Sequence, residues 1–137
     1  MSRNYLPGTQ IEIINEVVRG KIKYGLFDFD GTISILREGW QDIMQPVCVE
    51  FICGDTTPTP EIESEVRTMI DETTGIQTIL QMERLVEMIR EKGLVHEADI
   101  KDAQTYKQIY LDRLMVPVRE RLANLAAGTM PLEEAIV

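Results

Sequence analysis

Apolar positions along this chain change period once, near residue 38. Before that point the clearest signal is a short apolar run, Ile22-Lys23-Tyr24-Gly25-Leu26-Phe27, which predicts a strand over 21–27. Upstream, Ile11, Ile13, Val17 and Val18 predict a strand or hairpin arm over about 9–18, turned back by Arg19-Gly20, although a short helix satisfies the same spacing. After residue 38 the spacing becomes three and four. Trp40, Ile43, Met44, Val47, Cys48, Phe51 and Ile52 predict an amphipathic helix over 39–51, and Pro46 predicts a kink or a division there. Thr59 as cap and Pro60 in the first turn open a second helix with the stripe Ile62, Val66, Met69 and Ile70. A third runs over 77–90 on Ile79, Leu80, Met82, Leu85, Val86 and Ile89, and stops at Gly93. The last starts near Asp99 on Ile100, Ala103, Tyr106, Tyr110, Leu114 and Val118; Pro117 is expected to divide it, with 119–127 as its second piece and Gly128 beyond. Four helices joined by short loops predict a bundle.

Charge divides at the same place. Residues 1–37 carry five basic and four acidic side chains, whereas 38–137 carry nine basic and nineteen acidic, giving the chain a net charge of -9. That sign argues against bulk nucleic acid and against an anionic membrane face as partners. The length of 137 residues, 44% of them apolar, suits one domain and is too short for two of full size. There is no apolar run of the roughly 18 residues a bilayer span needs, and the start Met-Ser-Arg-Asn-Tyr-Leu-Pro has no signal-peptide core, so a cytoplasmic location is expected. Cys48 and Cys53, with His96 as the sole histidine, offer neither a disulfide framework nor a zinc site.

Chemistry concentrates where the apolar run ends, at Asp28-Phe29-Asp30-Gly31-Thr32. In an extended chain both carboxylates share one face; if the chain turns at Asp30, a side chain and a carbonyl converge instead. Either arrangement presents hard oxygens of the kind magnesium prefers. Gly31 permits a conformation a side chain obstructs, and Thr32 adds a hydroxyl. The plain alternative is a polar strand end followed by a glycine turn.

The longer run Tyr24-Gly25-Leu26-Phe27-Asp28-Phe29-Asp30-Gly31-Thr32-Ile33 resembles the first motif of the haloacid dehalogenase-like (HAD-like) hydrolases, in particular their magnesium-dependent phosphatases. The resemblance is specific in residue identity over 24–33 only. It implies an incomplete α/β, Rossmann-like main-domain segment in 1–33, an all-α helical-bundle cap in 34–127, and a return linker in 128–137. It implies Asp28 as the nucleophile that takes up a phosphoryl group and Asp30 as general acid, then base. Mg2+ would be held by the Asp28 carboxylate and the Asp30 main-chain carbonyl, with Gly31 and Thr32 supporting the loop. Arg37, Trp40 and Gln41, at the entry to the cap, become candidate contacts to a small phosphorylated substrate. The family's second hydroxyl residue, its lysine and its late acids have no counterpart here. A complementary C-terminal region or a swapped protomer is therefore expected, and the chain alone should be inactive. A second function class remains: a noncatalytic interaction or regulatory module that keeps the motif. His96 reads as a surface residue, and Tyr24, Tyr106, Tyr110 and the two cysteines as packing.

Overall fold

The computed structural model describes residues 4–15, 18, 20, 21 and 23–136. The expected positions Val17, Ile22 and Val137 lie outside the described residues. Four α-helices make the body: α1 Trp40–Cys53, α2 Pro60–Glu72, α3 Thr78–Lys92 and α4 Ala103–Ala127. Helix α1 is central, packing on α2, α3 and α4, and α3 also lies along α4. None of these helices is long and apolar enough to cross a membrane.

Each helix boundary has a local cause. Thr59 Oγ1 accepts from the amide of Ile62 at 3.4 Å, and Pro60 begins α2 where its missing amide proton costs nothing. Asp102 Oδ1 accepts from Thr105 N at 2.7 Å, so α4 starts at Ala103, four residues later than its apolar pattern suggests. Residues 97–99 form a separate short 3-10 turn before it. Gly93, at φ 62°, ends α3 by donating to the carbonyl of Ile89. The buried residues of α2 are Ile62, Val66, Met69 and Ile70, the stripe its spacing predicts. They meet Met44, Val47, Cys48 and Ile52 of α1, Met82, Leu85 and Ile89 of α3, and Tyr106, Tyr110 and Leu114 of α4 in one core. Trp40, Ile43 and Phe51, also placed on the α1 stripe, are only half buried at its edge.

The division expected at two prolines does not occur. Helix α1 continues through Pro46 and α4 through Pro117, so neither helix is divided. Each proline removes one i to i−4 bond, while the flanking turns stay packed on the core. The buried ladder of Tyr106, Tyr110, Leu114 and Val118 crosses Pro117 without a break in register.

The main correction concerns residues 1–33. Among the described residues there is no strand and no sheet, so the expected α/β, Rossmann-like main-domain segment is absent and the fold is all-helical. The described residues of the apolar run at 21–27 do not form a strand: Tyr24 and Phe27 are exposed and Leu26 is fully so. A strand exists by exchanging main-chain hydrogen bonds with a neighbour, and here no described segment lies beside it. The arm at 9–18 finds a different partner. Ile11 and Ile13 pair with Leu6 and Asn4 around a turn at Pro7-Gly8, with Tyr5 bridged to Glu12, rather than folding back on 21–27.

Candidate functional site

Phe29 carbonyl oxygen accepts three amides, from Thr32 at 3.4 Å and from Ile33 and Ser34 at 2.9 Å each. That convergence closes a tight turn directly after Asp30, and Gly31 sits in it at φ 76°, where a side chain is strained. The chain turns after Asp30 rather than running on extended. Asp28 and Thr32 are exposed on its outside. Asp30 is exposed as well, but its Oδ2 accepts from Arg37 Nη1 at 3.0 Å.

The connector from this turn into α1 is pinned from two sides. Arg121 of α4 donates through Nη1 to the main-chain oxygens of Leu36, at 2.8 Å, and Glu38, at 3.1 Å. Ile35 donates to the carbonyl of Ala135 at 2.9 Å, and buried Ser34 forms an antiparallel bridge with Ile136. The segment after α4 therefore returns to the foot of the motif turn.

Between the turn, the connector and the helices lies a cavity of about 350 Å3. Asp30, Gly31, Arg37, Trp40 and Gln41 all line it, five residues singled out in the sequence; Asp28 and Thr32 lie outside its wall. Two further lining residues, Gln81 and Tyr110, belong to distant helices. Gln81 carries a signal in retrospect: it is a polar residue four before Leu85, in register with the buried stripe of α3. Tyr110 matches its expected packing role, being 2% exposed, yet its ring also reaches the cavity. Burial pushes its hydroxyl up to about 12, against the opposing pull of the Arg37 charge.

Asp28 carboxylate and the main-chain carbonyl of Asp30 are hard oxygen donors, and magnesium keeps most of its shell as water, so this donor chemistry fits a partial magnesium site. Among the described residues, no group of three or more His, Cys, Asp or Glu side chains is gathered around a metal-sized space. His96 is exposed, and its Nδ1 accepts from Ala98 N at 3.2 Å, which is a capping role. Cys48 is buried and its thiol is pushed up to about 12 by that burial, which keeps it protonated and unreactive. Comparison with protein-family models, with curated proteins and with solved structures finds no match for this chain.

Proposed function

We propose that residues 28–32 supply the nucleophile and the acid-base group of a magnesium-dependent phosphohydrolase acting on a small phosphorylated metabolite. The observation that supports this reading is the shared cavity, which sets Asp30 and Gly31 of the motif beside Arg37 of the connector and Trp40 and Gln41 of α1, with Asp28 two residues from that wall. Asp28 attacks phosphorus and becomes an aspartyl phosphate, while Asp30 gives a proton to the departing alcohol. Asp30 then takes a proton from the water that hydrolyses the acyl phosphate. Magnesium supplies charge neutralisation on phosphate and carboxylate. Arg37 orients the Asp30 carboxylate, and Trp40 offers an apolar wall to the remainder of the substrate.

The exposed run 23–29 gives a complementary polypeptide segment, from elsewhere or from a second protomer, a surface on which to add the groups that complete the site. Phosphate release from a panel of phosphomonoesters, with magnesium and that segment present, tests the proposal. Asp28→Asn is expected to lower turnover by roughly 1,000-fold or more. Unaltered turnover in that variant rejects Asp28 as nucleophile. The noncatalytic alternative is supported by the cavity's position on the helical body, since binding there does not require Asp28; magnesium-independent binding without turnover favours it.

A further inference from the structure

The cavity beside α1 contains polar atoms that the fold leaves unused. Gln81 is 3% exposed; its Nε2 donates to the carbonyl of Thr73 at 3.2 Å and to Thr73 Oγ1 at 3.1 Å, so its Oε1 has no partner among the described residues. The Tyr110 hydroxyl also makes no hydrogen bond among the described residues, although the residue is 2% exposed. Among the described residues, no side-chain oxygen or nitrogen that is fully cut off from solvent lacks a partner, so these two oxygens must face open space, and the space both residues line is the cavity. Solvent in the open cavity can serve these two oxygens, and an occupant that bonds to them takes the place of that water.

Charge and shape narrow the occupant. Arg37 is the cation of the lining, and its bond to Asp30 uses one Nη1, leaving further guanidinium donors for a second acceptor. Gly39 and Thr78 bring the first turns of α1 and α3 to the same wall, and neither helix has a side-chain cap on its free amides. The acids Asp30 and Glu38 lie on the wall too, so an anion is seated on the side of Arg37 that faces Tyr110 and shares the guanidinium with Asp30. Trp40 supplies an apolar face, and the volume of about 350 Å3 falls at the lower end of the roughly 300–1,000 Å3 typical of small-molecule sites.

We infer that this cavity binds a small hydroxylated metabolite through an oxyanion, a phosphate or a carboxylate, that accepts from Arg37 and Tyr110, while a hydroxyl of the same molecule donates to Gln81 Oε1. Such binding belongs to the helical body and does not depend on catalysis at Asp28. It assigns Tyr110 a contact role beyond packing.

Trp40 is the sole tryptophan and lines the cavity, so its emission reports occupancy directly. The full chain is titrated with glucose 6-phosphate, gluconate, glucose and inorganic phosphate. A saturable change with glucose 6-phosphate or gluconate supports the site, and the tighter of the two identifies the oxyanion. Tyr110→Phe, which keeps the ring, is expected to weaken that binding roughly tenfold with an unchanged melting curve, and Arg37→Gln by more. Equal binding of glucose or of inorganic phosphate overturns the inference, as does no saturable response to any probe or an unaltered affinity in Tyr110→Phe. Saturable binding without turnover leaves this inference standing and counts against the phosphohydrolase; turnover abolished by Asp28→Asn but indifferent to Tyr110→Phe in KM does the reverse.

Discussion

The guanidinium of Arg121 lies 2.8 Å from the main-chain oxygen of Leu36, a contact across 85 positions of chain that fastens the motif connector to α4. A charged donor on a part-buried carbonyl is worth more than an ordinary surface bond, and here the same nitrogen also serves Glu38. Arg121→Met is expected to cost about 1–3 kcal/mol in thermal unfolding and to shift Trp40 emission to the red as the connector loosens. Unchanged melting and unchanged emission would show that the connector is held without it.

Leu85 is fully buried between the helices. Leu85→Ala removes transfer energy and leaves a cavity, for an expected loss of about 2–5 kcal/mol in denaturant unfolding. A loss below about 1 kcal/mol would mean that α3 does not pack as described.

Glu50 and Arg113 join α1 to α4 through two bonds of 2.6 and 2.8 Å, and Arg113 also lies 5.9 Å from the centre of the Phe51 ring. The Arg113 hydrogen bond holds the Glu50 carboxyl below its ordinary value of 4.5. A lowered folded-state pKa stabilises above the unfolded value, so the contribution is complete above about pH 4.5 and is lost as pH falls through the folded value. Both side chains are about half exposed, which limits the coupling to about 0.2–1 kcal/mol. A double-mutant cycle at pH 7 and at pH 3 should find a smaller coupling at pH 3 than at pH 7.

Pro46 is exposed inside α1, where it withholds an amide from the carbonyl four residues earlier. Pro46→Ala is expected to raise stability by about 1–3 kcal/mol, read as a higher denaturant midpoint at constant slope. No gain would mean that the helix is bent there to suit its packing.

Cys48 reacts only when the body opens. With its thiol held at about 12 and its side chain buried, alkylation by iodoacetamide at pH 8 should be slow in the folded chain and rapid in denaturant. Fast labelling of Cys48 in the folded chain would contradict its burial.

Helix α2 was fully legible because its determinants are local: Thr59, Pro60 and the stripe at Ile62, Val66, Met69 and Ile70 lie within a dozen residues. The prolines were not, because continuation through Pro46 and Pro117 is decided by what packs against the neighbouring turns. The run at 21–27 has a strand's composition, yet a strand is a relation between two segments, and composition carries one of them. Arg37, Trp40 and Gln41 were reachable from sequence by their nearness to the motif. Gln81 and Tyr110 were not, since only the packing of α3 and α4 brings them to the same wall as Asp30.

Ser34 and Ile136 touch, so the chain enters and leaves the helical body at one point. A pulling force applied between those two positions would load the few main-chain bonds at that junction one after another, as a zipper opens. The bundle beyond would feel the load only after the junction had parted. The same closeness makes the body a graftable unit: joined to the two sides of a tight turn in another protein, it would ask the host to separate its own backbone very little.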